Sequence, residues 1–133
     1  MKIFADTNFL VSAFTARGLS HEVFQIILAE HELVTGEFVL TELKRVLTEK
    51  MNVPQPMINE TDQLLRRYHI EPVPENPSCV QVRDEDDRWV LESAIQAKAE
   101  VLITGDKDLL VVNDDVKNLK IVTPRSFWEM IQK

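Results

Sequence analysis

Cysteine, glycine and long apolar runs are scarce in this sequence, and each shortage removes a class of protein. Cys79 is the only cysteine, so the chain has no internal disulfide and no second thiol with which to share a zinc ion. Among 133 residues there are only 3 glycines, and no glycine-rich phosphate loop is present. No apolar run approaches the length of a membrane-spanning helix, and residues 1–20 do not resemble a secretory signal. The sequence therefore predicts a cytoplasmic protein with no membrane contact.

The composition is that of an ordinary globular protein with a surplus of acid. Hydrophobic residues make up 44% and charged residues 28% of the chain, which predicts a single folded domain over residues 1–133. The net charge of −7 argues at first against a nucleic-acid partner, because phosphate contacts usually come with a basic surface. The acids are concentrated, however, above all in residues 84–87. Divalent cations bound to such a cluster would partly neutralise it, and phosphate could then approach.

Short apolar stretches alternate with helical patterns along the chain. Strands are predicted at residues 3–5, 33–34, 71–73, 101–103 and 120–122, and helices at residues 9–14, 22–30, 37–51, 57–69, 87–98, 109–112 and 124–132. This alternation predicts a three-layer α/β/α sandwich, in which helices cover both faces of a mostly parallel sheet. Pro72 and Pro74 restrict the third strand to an edge of that sheet, because proline cannot donate to a neighbouring strand.

Acidic residues stand at the ends of predicted strands or on apolar helix faces. Asp6 closes the first strand, and Asp106 and Asp108 follow the fourth. Helical periodicity places Glu42 on the flank of an apolar stripe and turns Asp87 toward the sheet. Because the carboxyl ends of parallel strands converge at one edge of a sheet, these acids are expected to share one site.

A divalent metal ion is the natural companion of such a site. Carboxylates held close together repel one another unless a cation or a proton neutralises them. An oxygen-only ligand set suits Mg²⁺ or Mn²⁺, and no cysteine or histidine stands at the spacing of a zinc site. A site of this kind can activate a water molecule and stabilise the leaving oxygen of a phosphoryl displacement. The pattern therefore predicts metal-dependent phosphoryl chemistry.

Each of the acids also has a plain structural explanation. Asp6 and Asp87 are both of a residue type favoured as a helix N-cap. Glu42 stands close enough in its helix to form an ion pair with Lys44 or Arg45. These alternatives remain open at the level of the sequence.

Other charged groups fit solvent-exposed surfaces. Residues 84–86 have the character of a solvated turn. The basic pairs Lys44-Arg45 and Arg66-Arg67 fit exposed helix faces, and guiding phosphate toward a site is the alternative role for them.

Taken together, the motifs resemble the PIN-domain family of metal-dependent ribonucleases, and within it the toxins of bacterial and archaeal toxin–antitoxin pairs. The resemblance covers the whole chain. It rests on Asp6-Thr7-Asn8 after the first strand, Glu42 in the third helix, Asp87 with the apolar residues behind it, and the run from Leu102 to Leu109.

The resemblance implies an acidic quartet that binds Mg²⁺ or Mn²⁺ and cleaves single-stranded RNA: Asp6, Glu42, Asp87 and Asp106. Asp108 is the alternative fourth ligand or an additional one. Thr104 would orient the fourth acid, and Asn8 would steady the first. The resemblance also implies a sheet of about five parallel strands, a homodimer and an antitoxin protein that blocks the site. The rival interpretation is a noncatalytic module that keeps the fold and the acids and only binds RNA or a protein.

Overall fold

Strands and helices alternate along the chain as the sequence predicts. The computed structural model describes residues 1–132, and residue 133, the last of the expected domain, lies outside the described residues. The strands are β1 (Lys2–Ala5), β2 (Glu32–Gly36), β3 (His69–Glu71), β4 (Val101–Ile103) and β5 (Lys120–Val122). The helices are α1 (Thr7–Thr15), α2 (Leu19–Glu30), α3 (Glu37–Glu49), α4 (Gln55–Leu65), α5 (Glu85–Gln96), α6 (Lys107–Leu110) and α7 (Pro124–Ile131). A 3₁₀ turn at Asn113–Asp115 precedes β5.

All five strands belong to one sheet in the order β3-β2-β1-β4-β5, and every neighbouring pair is parallel. The chain moves outward from β1 through β2 to β3, and then crosses back to place β4 on the other side of β1. A crevice is expected where the direction of winding reverses, at the carboxyl ends of β1 and β4. Apart from Lys2 at the start of β1, the residues of β1 and β4 are apolar and buried, with Phe4 and Leu102 both at 0% exposure. The predicted parallel sheet of about five strands is confirmed.

Helices cover both faces of the sheet, which confirms the predicted three-layer architecture. Helix α2 packs against α1, β2 and α7, whereas α5 packs against β2, β3 and α3. Rings of Phe9 and Phe14 on α1 contact Phe24 on α2, with ring centroids 6.4 and 5.1 Å apart. Full burial of a ring such as that of Phe9 stabilises the fold by about 1.5–3 kcal/mol, and the half-buried Phe14 adds a smaller share. Helix α1 is therefore held firmly after β1. Within residues 1–132, no helix has the length and apolar character needed to cross a membrane.

The third strand is displaced from its predicted position by two residues. It was expected at residues 71–73 but runs over residues 69–71, with His69 paired to Val34 of β2. Pro72 has no backbone N–H to donate, so the strand ends before it. The predicted position at the edge of the sheet is correct.

Several helices begin about half a turn to one turn earlier than predicted because their caps lie earlier in the chain. Helix α5 begins at Glu85, since the Asp84 side chain accepts the backbone N–H of Asp86 at 3.0 Å. Asp87 was considered as its N-cap and is instead its third residue. Helix α2 begins at Leu19, three residues before the predicted start at residue 22, with Gly18 at its N-cap position.

Candidate active site

A cleft of about 400 Å³ lies at the carboxyl ends of the central strands. Its lining includes five acidic side chains that come from separate parts of the chain: Asp6, Glu42, Asp84, Asp87 and Asp106. Two other clefts, of about 320 and 350 Å³, have no carboxylate among the described residues that line them. The four acids of the predicted quartet are thus brought together in one place.

Asp6 links β1 to α1 and is 3% exposed. Its carboxylate accepts hydrogen bonds from the Thr104 hydroxyl and from the Thr7 backbone N–H, both at 2.7 Å. A longer contact of 3.4 Å joins it to Nδ2 of Asn8. Burial raises the pKa of Asp6 to about 6, although the two short hydrogen bonds act in the opposite direction. Asp6 caps α1, as the structural explanation proposed, and it faces the cleft as well.

Thr104 and Asn8 connect the ends of β1 and β4. Besides donating to Asp6, the Thr104 hydroxyl accepts the backbone N–H of Asp106 at 3.0 Å. Oδ1 of Asn8 accepts the backbone N–H of Gly105 at 2.8 Å, which is shorter than the 3.4 Å contacts of its Nδ2. Thr104 therefore contacts the first acid of the quartet and the backbone of the fourth. Asn8 fixes the loop after β4 more closely than it fixes Asp6.

Glu42 is held by a residue that the sequence did not single out. Its Oε1 accepts a hydrogen bond of 2.6 Å from the Thr7 hydroxyl. Neither ion pair considered for Glu42 is present: Lys44 is 3.0 Å from a carboxylate of α4, and Arg45 is 3.9 Å from one a turn further along α3. The one signal for Thr7 in the sequence was a hydroxyl residue directly after Asp6. Thr7 thus contacts both Asp6, the N-cap of α1, and Glu42 of α3.

Asp87 has the least compensated carboxyl group of the cleft. It is 7% exposed, and its Oδ2 has no hydrogen-bond partner among residues 1–132. Burial first, and then the neighbouring Asp106 carboxyl, raise the pKa of Asp87 well above its usual range. A buried carboxylate oxygen without a donor is unfavourable, so this group needs a proton or a cation.

Asp84 and Asp108 lie beside Asp87. One carboxylate oxygen from each of these three residues lies within 4.8 Å of the others. Asp108 follows Asp106, whose side chain caps α6 by accepting the Asp108 backbone N–H at 2.9 Å. Both candidates for the fourth acid are therefore close to Asp87. The assignment of Asp84 to a solvated turn was incomplete: it is exposed, but it caps α5 and lines the cleft.

The donor set fits a hard divalent ion. Every acidic ligand atom in the cleft is an oxygen, which suits Mg²⁺ and Mn²⁺. A cation between Asp6 and Asp87 would offset the lack of a donor for Oδ2 of Asp87 and the burial that raises the pKa of Asp6.

Comparisons with known proteins agree with this architecture. A family model described as PIN domain matches residues 2–108. An uncharacterized protein of Methanocaldococcus jannaschii, MJ1680, is 30% identical over 145 aligned positions, which cover 100% of this chain and 93% of that protein.

Two solved structures share the fold at low sequence identity. One is VapBC2 from Rickettsia felis bound to a DNA fragment from their promoter, with a TM-score of 0.66, 16% identity, and coverage of 92% of this chain and 98% of that one. The other is PAE2754 from Pyrobaculum aerophilum, with a TM-score of 0.64, 12% identity, and coverage of 99% and 90%. The family match extends over most of the chain, from β1 to α6. The chain belongs to the PIN-domain family.

Proposed function

We propose that this protein is a Mg²⁺- or Mn²⁺-dependent endoribonuclease that hydrolyses phosphodiester bonds in single-stranded RNA. The observation that carries the proposal is the enclosed carboxyl group of Asp87, which faces four other acids and has no hydrogen-bond donor for its Oδ2 within the described chain. An acid used only for folding would have a partner, because an unpaired buried carboxylate destabilises the protein. A bound cation removes that conflict.

The acids of the cleft and the two threonines that contact them have roles in this proposal. The ion would be held by the quartet of Asp6, Glu42, Asp87 and Asp106, with Asp108 and Asp84 as further ligands. A divalent ion bound there would favour ionisation of a water molecule at neutral pH and would stabilise negative charge on the leaving oxygen. The remaining contacts orient the ligands: Thr104 fixes Asp6, and Thr7 fixes Glu42.

We further propose that the protein is the toxin of a toxin–antitoxin pair, acts in the cytoplasm and forms a homodimer. Membership of the PIN-domain family and the likeness to the VapBC2 structure support this setting. The antitoxin would be a protein partner that blocks the cleft.

A noncatalytic module that binds RNA or a protein is the alternative function. The net charge of −7 favours this alternative, because an acidic surface suits a basic protein better than RNA.

Cleavage of a labelled single-stranded RNA by the purified protein tests the proposal. We expect cleavage with Mn²⁺ or Mg²⁺ and none with EDTA. Asp87→Asn should lower the rate at least a hundredfold, because the least compensated carboxylate of the cleft is lost. Asp86→Asn is the matched control, since Asp86 precedes it on the same helix but is exposed and lies outside the cleft.

Two outcomes would contradict the nuclease proposal. If Asp87→Asn cleaves at the wild-type rate, the activity comes from elsewhere. If the wild-type protein binds RNA or a protein partner with Mn²⁺ present and cleaves nothing, the noncatalytic module is the correct interpretation.

A further inference from the structure

Four basic side chains of α3 and of the ends of α3 and α4 form two groups. Those of the first group join α3 to the end of α4. Lys44 is 3.0 Å from Asp62, and Arg66 donates hydrogen bonds of 2.8 and 2.9 Å to Glu37. The Arg66 guanidinium in turn lowers the pKa of Glu37. These two cations are committed to holding helices together.

Arg45 and Lys50, here called the rim pair, form the second group and line the cleft. The nearest carboxylate to Arg45 is that of Glu49, at 3.9 Å, and these side chains are 54% and 62% exposed. A pair so long and so exposed contributes little. Lys50 has no carboxylate oxygen within 4.0 Å anywhere in residues 1–132. Both cationic groups are therefore free to bind an anion.

The charge balance of the cleft gives the rim pair a specific role. Five acids and two cations line it, a formal balance of −3, which one divalent ion reduces to −1. Without the rim pair the balance would stay at −3 even with an ion bound, and a phosphodiester strand would be repelled. Along the α3 axis Arg45 and Lys50 follow Glu42 by about 4.5 and 12 Å. They mark a path leading away from the acids.

We propose that the rim pair binds phosphates of the RNA strand next to the one that is cleaved, so that the strand leaves the acidic centre along the second half of α3. This inference rests on the proposed function for its substrate. The Arg45 guanidinium can hold two oxygens of one phosphate, whereas the Lys50 ammonium acts as a point charge. Both groups address the backbone, so they provide affinity and strand direction without reading base sequence.

Binding of a fluorescein-labelled oligouridylate, followed by anisotropy with Ca²⁺ in place of Mn²⁺, tests the rim pair without requiring cleavage. The variant is Arg45→Gln with Lys50→Gln. The matched control is Arg17→Gln with Arg67→Gln, which removes the same charge from two exposed residues outside the cleft. Two lost phosphate contacts should reduce the slope of log K against log salt by about 1.4 and weaken binding roughly 25-fold at 0.1 M salt. The control should bind like the wild type, and a deoxy oligonucleotide should show the same contrast.

The proposed phosphate-binding role of the rim pair is refuted if both double variants weaken binding equally, if the salt slope is unchanged, or if the wild-type protein binds neither oligonucleotide. An unchanged melting temperature and an unchanged Mn²⁺-induced shift of that temperature establish that the variant is folded.

Cleavage with Mn²⁺ separates this inference from the proposed function. A wild-type protein that binds through Arg45 and Lys50 but does not cleave contradicts the nuclease alone. A rim variant that cleaves with wild-type KM contradicts the rim pair alone, because we expect KM to rise about 25-fold with little change in kcat.

Discussion

Which of wild type and Asp6→Asn is the more stable protein should depend on pH and on bound metal. Burial raises the pKa of Asp6 from 3.8 to about 6, so the folded metal-free protein binds this proton more tightly than the unfolded chain does. The proton on Asp6 gives its full stabilisation below pH 3.8, the pKa in the unfolded chain. This stabilisation is lost as the pH rises to about 6. At about 1.4 kcal/mol per pH unit, the loss is roughly 3 kcal/mol.

The variant escapes this loss because asparagine carries no charge. Its side chain must, however, replace a carboxylate that accepts hydrogen bonds from Thr104 and Thr7 at 2.7 Å. Turning one acceptor into a donor costs about 1–3 kcal/mol. Without metal at pH 7.5, we expect Asp6→Asn to match the wild type or to exceed its free energy of unfolding by up to about 2 kcal/mol.

Manganese should reverse that order. Wild-type protein at a free Mn²⁺ concentration of about 100 times Kd gains roughly 2.7 kcal/mol, whereas the variant has lost a ligand. Thermal unfolding from pH 4.5 to 7.5, in EDTA and in Mn²⁺, measures both effects, and each kcal/mol corresponds to roughly 4 °C. A stability difference in EDTA that does not change with pH would refute the buried-charge argument. An equal Mn²⁺ shift in both proteins would refute the metal-ligand role of Asp6.

Two further substitutions test how the other acids are held. Thr7→Val removes the hydroxyl that donates to Glu42 at 2.6 Å. We expect the Mn²⁺ affinity measured by calorimetry to fall roughly tenfold and Thr7→Ser to restore it. Wild-type affinity in the valine variant would show that Glu42 is positioned without Thr7. Asp84→Asn should leave metal-free stability within about 0.5 kcal/mol, because asparagine caps a helix as well as aspartate does, yet should weaken Mn²⁺ binding; unchanged binding would show that Asp84 acts only as a cap.

Sequence periodicity was sufficient to predict the sheet and the convergence of its acids. The apolar runs of β1 and β4 suit the centre of a parallel sheet. Asp6 follows the first run directly, and Asp106 follows the second after two residues. The orientation of Asp87 toward the sheet could be predicted because three apolar residues follow it on the same face of the helix. These inferences depend on distances of a few residues along the chain, where geometry is nearly independent of the rest of the fold.

What could not be predicted depends on contacts between distant parts of the chain. The hydrogen bond from Thr7 to Glu42 joins residues 35 apart, and nothing near either residue indicates it. Arg45 and Arg66 look alike in the sequence, but only Arg66 meets a carboxylate of another helix at short range. The start of α5 was misplaced because four consecutive acidic residues all suit a helix N-terminus, and packing decides which of them caps it.

The Thr104 hydroxyl that fixes Asp6 comes from a residue 98 positions later in the sequence. During synthesis, the first acid emerges from the ribosome early and has to wait for β4 before it acquires its partner. The cleft is therefore complete only after Asp106, the last residue that lines it, has been made. A nascent chain that ends before β4 lacks both the Thr104 hydroxyl and the Asp106 carboxylate. Whatever chemistry the cleft performs can therefore begin only after that strand has folded beside β1.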